Sequence, residues 1–369
     1  MIRKPFVVTG LDIGSSKIAA VVARLEKNGR FEIMAHATGE AGGIAKGMLV
    51  DLKDSIGSVS KVLTKLKKKA SKKLGKIYVN ISGEDVKGAK ALGMIPISLR
   101  GREIMPADIE KSVNAASTIH LPFDREILHK IVHSFSIDDQ PWIKNPLGLY
   151  ASRLACEAYV ITANINHIQS IYKCVNDSGY DVKEIAFTGI ADASSLLDKL
   201  EKESGAILID MGNSLTEVSV YLNGSLDGFD IVSIGSLDAE DDFRSNAVFN
   251  ELISRIMARL KDLSKRSVEP RAITPERVTG SRVKAPSIIL TGGFALADGM
   301  IEFMEEKLSH PVRMGAMKGV QGDISGLDSV RLATAIGLAR YACEKQLSEE
   351  HGISRSFSSK VVELFNNYF

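Results

Sequence analysis

Two short turns in the sequence carry the residue types that bind phosphate. Each follows an apolar run, opens with an Asp and places a Gly two residues later. Such a turn exposes successive backbone N–H groups to an anion, and Gly lets the backbone approach closely. The Asp could hold Mg²⁺ through water, which this cation gives up reluctantly. The first turn comprises Asp12, Gly14, Ser15, Ser16 and Lys17, and the second comprises Asp210, Gly212, Asn213, Ser214 and Thr216.

A third turn, Thr291-Gly292-Gly293, follows the apolar run SIIL and precedes a predicted helix. One Asp-x-Gly turn alone is a weak signal, because any hairpin needs a tight turn. Two of them together with this third turn predict a composite site. The pair would clamp a β/γ-phosphate between two domains, with Lys17 adding positive charge. The third turn would approach a sugar or an α-phosphate.

An internal repeat organises the elements that must position these turns. Residues 5–23 form the pattern strand, turn, strand, and residues 206–221 repeat it, with Asp12 and Asp210 standing 198 positions apart. The alternation of strand and helix patterns predicts an α/β architecture built from two similar halves. Between the halves, the strand-like runs in residues 77–160 surround a predicted helix from Pro106 to Thr118, which indicates an inserted subdomain.

Composition excludes several classes of protein. The 369 residues are 44% hydrophobic and 25% charged, which is typical of a folded globular chain. The net charge of +2 argues against a surface made to hold nucleic acid. Three widely spaced cysteines predict neither a disulfide framework nor a zinc site. No signal peptide and no apolar run long enough to span a bilayer is recognised, so we expect a cytoplasmic location.

Four segments occur in the order of the phosphate-1, phosphate-2, adenosine and connect-2 motifs of the actin, Hsp70 and sugar-kinase superfamily. They are LDIGSSKIAAVV, LIDMGNSLTEVSVY, IILTGGFALADGM and ATAIGLARYA. Within that superfamily the chain resembles the FtsA family of bacterial division proteins. IYVNISGEDVKG and IKNPLGLYASRLACEAYVITA are similar to the family's inserted subdomain and extend the resemblance over nearly the whole chain.

The resemblance implies an α/β, actin/Hsp70-like ATPase fold with two lobes and an FtsA-type inserted subdomain. The implied divisions are 1–80 for the first part of lobe 1, 81–160 for the insertion, 161–203 for the return to lobe 1, 204–343 for lobe 2 with a reduced outer subdomain, 344–355 for a linker and 356–369 for a membrane-targeting helix.

The resemblance also implies a function: an ATP- and Mg²⁺-binding scaffold that polymerises and tethers the C-terminal tail of the tubulin-like FtsZ to the inner face of the cytoplasmic membrane. The implied partners are FtsZ, further copies of the chain, membrane lipids and other division membrane proteins, without nucleic acid. Asp12 and Asp210 fall at the metal-proximal positions. The implied nucleotide contacts are the residues of the two phosphate turns together with Gly292, Gly293, Phe294 and Gly337. No catalytic residue is assigned and no base for an attacking water is identified, so we expect at most a slow ATPase.

Two departures from the family pattern bear on that expectation. The second phosphate turn usually reads DxGGGTT, whereas here Asn213 and Ser214 replace glycines and Leu215 replaces a hydroxyl residue. Only about forty residues, 237–279, stand where the family's outer subdomain of the second lobe needs roughly twice as many. One helix, 247–263, is predicted there. In the family this subdomain closes over the nucleotide and docks the FtsZ tail.

The last fourteen residues predict an amphipathic helix that lies in a membrane interface. Its apolar positions recur at helical spacing, and its polar face carries one Lys and one Glu rather than a basic cluster. The alternative is a helix packed on the protein or on a partner. The predicted membrane-contacting residues are Phe357, Val361, Leu364, Phe365, Tyr368 and Phe369.

The lysine-rich run 61–76 predicts the solvated face of an amphipathic helix, with a membrane-facing or nucleic-acid-binding patch as the alternative. Three alternative functions also stay open. One is a PilM-like cytoplasmic adaptor that binds a membrane protein's tail peptide, and another is a nucleotide-free, degenerate actin-like adaptor. An active ATPase or sugar-kinase-like enzyme is the third possibility, for which the short second lobe leaves little room.

Overall fold

The computed structural model of the chain describes residues 5–70, 74–117, 121–239, 243–244, 246, 248–268, 286–322, 324 and 326–353. The strands in chain order are β1 (Phe6–Ile13), β2 (Lys17–Leu25), β3 (Phe31–Glu40), β4 (Ile44–Ala45), β5 (Met48–Leu49), β6 (Lys76–Ile81), β7 (Lys87–Pro96), β8 (Arg102–Glu103), β9 (Arg125–Ile137), β10 (Gln140–Ile143), β11 (Tyr150–Ala151), β12 (Arg153–Asn164), β13 (Val182–Phe187), β14 (Ala206–Met211), β15 (Thr216–Leu222), β16 (Ser225–Val232), β17 (Ser287–Thr291) and β18 (Val312–Met314). The helices are α1 (Leu52–Ala70), α2 (Pro106–Ser117), α3 (Ile165–Asp177), α4 (Thr188–Leu196), α5 (Lys199–Ser204), α6 (Val248–Val268), α7 (Met300–Leu308), α8 (Gly326–Arg331) and α9 (Ala333–Ile353).

Two five-stranded sheets with the same topology form the two lobes. The first has the order β13-β6-β1-β2-β3 and the second has the order β16-β15-β14-β17-β18. In each, three successive strands pair antiparallel, and two later strands then add in parallel to the first of them. The turn between β1 and β2 therefore corresponds to the turn between β14 and β15. The predicted internal repeat is confirmed at the level of strand order and direction.

Side-chain alternation along β2 buries both faces of the first sheet. Ile18, Ala20 and Val22 face the apolar cluster that α1 joins, and Ala19 and Val21 face the cluster that α9 joins. The helices α1 and α9 therefore cover opposite faces of one sheet. A strand buried on both faces reads as an uninterrupted apolar run, which is the pattern IAAVVA in the sequence.

The helices α4 and α9 follow the last strands of the two sheets and pack against each other at very short range. A Cβ built on Gly337 of α9 would stand 1.9 Å from the carbonyl oxygen of Ala191 in α4. One built on Gly10 of β1 would stand 1.9 Å from the carbonyl oxygen of Ala335. The small residues of α9 thus let one helix lie close to both α4 and the first sheet.

A separate four-stranded sheet of the order β10-β9-β12-β7 lies within residues 87–164, with α2 packed on β7 and β12. Ile109 and Val113 of α2 are buried with Phe135 and Leu154 of the sheet. The long strand β9 is absent from the sequence-based expectation. It carries His129, whose buried Nε2 accepts a hydrogen bond from the Phe187 N–H at 3.0 Å.

The chain's last described helix differs from the expectation of a linker at 344–355. Helix α9 continues to Ile353, because contacts beyond residue 343 hold it to the first lobe. Lys345 donates to Glu184 of β13 at 2.8 Å, and Leu347 packs against the apolar cluster around β1. The predicted amphipathic helix, 356–369, lies outside the described residues. Among the described helices, none combines the length and the apolar character needed to cross a membrane.

Candidate functional site

The two predicted phosphate turns have the same backbone geometry. The Gly14 N–H donates to the Lys17 carbonyl at 3.0 Å, and the Gly212 N–H donates to the Leu215 carbonyl at 2.9 Å. A Cβ on Gly14 would stand 2.9 Å from the Lys17 carbonyl oxygen, and one on Gly212 would stand 3.0 Å from that of Leu215. Glycine is therefore required at both turns by the tight hydrogen-bonded ring itself.

The structure brings the two turns together across the interface between the lobes. The Ser214 hydroxyl donates to the Ser15 Oγ at 2.8 Å, although the two residues are 199 positions apart in the chain. Backbone N–H groups of the first lobe complete the contact: that of Lys46 donates to the Ser214 Oγ at 3.1 Å, and that of Gly47 donates to the Ser15 Oγ at 3.3 Å. Ser214, which departs from the family pattern, thus forms hydrogen bonds between the lobes.

A cleft of about 790 Å³ lies between the lobes at this contact. The third turn faces it from the second lobe, with Gly292 at φ +89 and a built Cβ only 2.3 Å from the Asp210 Oδ1. Arg331 at the end of α8 and Thr334 at the start of α9 line its far side. The predicted residues that line it are Asp12, Gly14, Ser15, Ser16, Lys17, Asp210, Gly212, Asn213, Ser214, Gly292, Gly293 and Phe294.

The two aspartates lie at corresponding ends of β1 and β14 on the floor of the cleft. Burial raises the pKa of Asp12, and Lys17, whose Nζ is 3.8 Å from the Asp12 Oδ2, partly offsets this. Burial and then the charge of Asp12 raise the pKa of Asp210 to about 6. The charge of Asp12 disfavours the ionisation of Asp210, and a divalent cation bound between these carboxyl groups would offset this repulsion. Lys17 also donates to the Arg331 carbonyl and so connects the first turn to the end of α8.

Glu217 is a cleft residue that the sequence-based reasoning missed. It lies on β15 and lines the cleft, with its Oε2 accepting a hydrogen bond from the Ser82 hydroxyl of the first lobe. Its Oε1 is buried without a hydrogen-bond partner among the described residues. Burial raises the pKa of Glu217 to about 8, against the stabilising Ser82 hydrogen bond. The signal in the sequence that could have identified Glu217 is an acidic residue within the apolar run TEVSVY.

Asn80 and Thr188 are further missed residues, and they join three elements beneath the cleft. The Asn80 Oδ1 accepts from the Ile13 N–H at 2.7 Å, at the end of β1. The Asn80 amide donates to the Thr188 Oγ1 at 3.4 Å, and the Thr188 hydroxyl donates to the Ile81 carbonyl at 3.1 Å. These bonds fix the first phosphate turn against β6 and the start of α4. A polar residue at the end of the apolar run IYVNI was the signal for Asn80.

Asp192, one turn further along α4, is fully buried below the same floor. Burial, followed by the nearby charge of Asp210, raises its pKa well above the ordinary value. Four carboxyl groups, those of Asp12, Asp192, Asp210 and Glu217, are thus buried around the junction of the lobes. Because these groups repel one another when ionised, a positive charge bound near them would favour their ionised forms.

Two residues predicted to bind the nucleotide, Thr216 and Gly337, do not line the cleft. Thr216 is fully buried, and its hydroxyl donates to the Ile234 carbonyl at 2.7 Å, so it holds β15 to the segment after β16 rather than lining the cleft. Gly337 lies at the contact of α9 with α4, where its lack of a side chain is needed for packing. The six residues predicted to contact membrane, Phe357 to Phe369, lie outside the described residues.

The residues present fit a magnesium–nucleotide complex. Two glycine-containing turns present backbone N–H groups, and a Cβ on Gly293 would meet nothing within 4 Å, so a ligand could approach this backbone closely. No group of three or more His, Cys, Asp or Glu side chains among the described residues is arranged to hold a metal directly. A cation here would therefore take its remaining ligands from water and phosphate oxygens, the mode that Mg²⁺ favours.

Comparison with known proteins shows similarity over nearly the whole chain. Residues 83–162 match the family described as the SHS2 domain inserted in FTSA. Cell division protein FtsA of Pseudomonas aeruginosa is 29% identical, covering 95% of this chain and 92% of that protein. FtsA of Borreliella burgdorferi is also 29% identical, covering 92% and 91% respectively. The resemblance to FtsA that the motifs predict is confirmed.

Among solved structures, a chain of the PilM-PilN type IV pilus biogenesis complex superposes with a TM-score of 0.61 at 13% sequence identity. The match covers 90% of this chain and 97% of that one. At this identity the match concerns the fold alone. The fold is the predicted actin-like ATPase fold, with the SHS2 domain inserted into its first lobe.

Proposed function

We propose that this FtsA-like chain is an actin-like cell-division protein that binds Mg·ATP in the cleft between its lobes. The observation that carries the proposal is the convergence of two Asp-x-Gly turns of identical hydrogen bonding on one cleft. The similarity to FtsA proteins over 95% of the chain supports the biological setting.

The roles of the cleft residues follow from their chemistry. The backbone N–H groups of residues 15–16 and 213–214 would bind the phosphates, and Lys17 would add a positive charge. Asp12 and Asp210 would hold Mg²⁺ through water. Gly292, Gly293 and Phe294 would lie against the sugar and base. ATP, when bound, would supply a charged phosphate chain, and the two phosphate turns that would hold it come from different lobes, so binding would favour keeping the lobes together.

Slow turnover fits the character of Glu217. A carboxyl group that is to accept a proton from water must be ionised at the working pH. With a pKa of about 8, most Glu217 side chains carry a proton at neutral pH. Glu217, which lines the cleft, is therefore a poor proton acceptor at neutral pH. We therefore propose a scaffold whose state nucleotide sets, and at most a slow ATPase.

The proposed scaffold polymerises and tethers the C-terminal tail of FtsZ to the inner face of the cytoplasmic membrane. Other division membrane proteins are further proposed partners. The amphipathic pattern of residues 356–369 supports peripheral attachment, and polymerisation would multiply the weak binding of single copies through avidity.

Vesicle co-sedimentation tests the membrane part of the proposal. The full chain should sediment with lipid vesicles, and the chain lacking residues 356–369 should stay in the supernatant. Equal sedimentation of both would contradict attachment through this segment. Electron microscopy with lipid and ATP should show protofilaments, and their absence at all concentrations would contradict polymerisation. A peptide with the FtsZ tail sequence should co-sediment with the filaments.

A second candidate is a nucleotide-free adaptor of the same fold, favoured by the hydroxyl contact between Ser15 and Ser214. This contact joins the two phosphate turns with the protein's own atoms. If the adaptor function is correct, ATP will not compete with the contact and the lobes will stay together without ligand. A titration with Mg·ATP separates the two candidates.

A further inference from the structure

The lysine-rich helix α1 ends at the side of the first lobe that faces away from the cleft. Residues 61–76 contain eight lysines and no acidic residue. In the described part of this run, all the lysines are exposed, and none forms an ion pair with a carboxylate of the described residues. Such an unbalanced positive surface stands out in a chain whose net charge is only +2.

The strand pairing fixes where this positive charge lies. Lys76 opens β6 and pairs with Val8 near the start of β1, whereas the cleft is at the other end of β1, at Asp12. A Cβ on Gly75 would stand 2.1 Å from the Val7 carbonyl oxygen, so the chain leaving α1 passes directly along this end of the sheet. The last turn of α1 therefore points away from the nucleotide cleft.

The turn between β2 and β3 adds further positive charge at the same end. Phe6 at the start of β1 pairs with Leu25, so residues 26–30 extend beyond the strand starts. Arg24 is neutralised by Glu26 and Glu32, while Lys27 and Arg30 are exposed. Asp181, before β13, is an exposed acid at this end. We call the exposed cations together the basic end; they are Lys27, Arg30, Lys67, Lys68, Lys69 and Lys76.

Helix α9 carries the chain to this same end. It starts at the cleft, which Thr334 lines, and passes Gly10 of β1 at Ala335. Lys345 then bonds to Glu184, two residues after the start of β13. The eight residues from there to Ile353 extend about 12 Å further in the same direction. The described chain therefore reaches Ile353 at the end of the lobe that carries the lysines.

The amphipathic segment itself brings no excess of positive charge. Residues 356–369 contain one lysine and one glutamate. An interfacial helix of this type normally carries lysines and arginines on its polar face to attract anionic lipids. The basic end supplies that missing component from the folded body of the protein.

From these observations we propose that the basic end of the first lobe binds anionic lipid headgroups and orients the molecule with its cleft away from the membrane. The inference rests on the proposed membrane attachment. Each lysine near an anionic surface contributes about a fivefold increase in binding, and the effect falls off within a Debye length. Three lysines together therefore account for up to about a hundredfold.

The test compares three triple variants of the full chain in vesicle co-sedimentation. Lys67, Lys68 and Lys69 are all changed to Gln in the first and all to Arg in the second. The matched control changes Lys87, Lys111 and Lys144 of the inserted domain, which are equally exposed, to Gln. Vesicles of phosphatidylcholine with 30% phosphatidylserine and vesicles of phosphatidylcholine alone serve as the two probes. Circular dichroism checks that α1 remains helical.

We expect the first variant to lose at least tenfold in binding to anionic vesicles at 0.1 M salt, with little change on neutral vesicles. The Arg variant and the control should each stay within twofold of the unmodified chain. Equal losses in the Gln variant and the control would overturn the proposal, because net charge alone would then explain them. If the Gln variant binds anionic vesicles as well as the unmodified chain does, and this binding is lost when residues 356–369 are removed, the proposed lipid-binding role of the basic end is overturned. The proposed attachment through residues 356–369 is then kept. A full chain that binds neither vesicle would overturn both.

Discussion

The close contact of α9 with α4 predicts how a substitution at Gly337 changes the free energy of unfolding. Gly337→Ala adds a methyl group at a point 1.9 Å from the Ala191 carbonyl oxygen, so the helices have to separate. Overpacking of this kind costs about 1–3 kcal/mol. Alanine at the same time gains about 0.5–1 kcal/mol over glycine within a helix. The net effect we expect is a destabilisation of up to about 2 kcal/mol.

Gly57→Ala in α1 is the matched control for this change. Gly57 also lies inside a helix, but a Cβ there meets nothing within 4 Å. The control should therefore stabilise the protein by about 0.5–1 kcal/mol. Because both variants share the propensity gain, the difference between them isolates the steric cost and should be about 1–3 kcal/mol.

Urea denaturation followed by circular dichroism measures both variants. Equal slopes with shifted midpoints would show that stability alone has changed. If the two variants shift the free energy of unfolding by the same amount within 0.5 kcal/mol, the close approach of α9 to α4 is refuted, and with it the assignment of Gly337 to packing.

Two more predictions concern the cleft. Because the pKa of Glu217 is about 8 in the folded protein and its ordinary value is 4.5, the folded state holds a proton that the unfolded state releases between these values. The stability of the unmodified chain therefore falls as pH rises from about 5 to 8, by up to about 1.4 kcal/mol per pH unit from this group. Glu217→Gln removes this contribution, so the free energy of unfolding of this variant, relative to that of the unmodified chain, should rise with pH in urea denaturation. For the exposed control Glu110→Gln, the difference from the unmodified chain should not change with pH. A pH-independent difference for Glu217→Gln would contradict the buried, protonated carboxyl. For the contact between the lobes, Ser15→Ala and Ser214→Ala should each destabilise by about 1 kcal/mol, and the double variant should show a coupling of about 0.5–1.5 kcal/mol. Strictly additive losses would mean that the two hydroxyls do not interact.

The sequence predicted the repeated strand-turn-strand units because both signals are local. An apolar run that ends in Asp-x-Gly needs only its own backbone to form the turn, and the Gly14 and Gly212 hydrogen bonds lie within four residues. The strand β9 was missed because its polar residues interrupt the apolar pattern. His129 is buried there only because it accepts a hydrogen bond from the distant Phe187 N–H.

Long-range contacts also explain which site residues the sequence could not assign. Glu217 and Ser82 are 135 positions apart, and their hydrogen bond depends on how the lobes meet. The departure at Ser214 looked like a local defect of a phosphate turn, and only the structure shows its hydroxyl bonded to the opposite lobe. The continuation of α9 past residue 344 likewise depends on Glu184 of a distant strand. Polar sequence alone could not distinguish this docked helix from a linker.

Calorimetric titration of Mg·ATP into the full chain tests the central claim most directly. Asp12→Ala and Asp210→Ala remove the two carboxylates of the cleft floor, and Asp181→Ala, an exposed position at the other end of the lobe, is the control. The proposed function predicts micromolar binding by the chain and by the control, weakened at least a hundredfold in both cleft variants. Absence of heat together with no competition by ATP analogues, or binding that survives in both cleft variants, would contradict it.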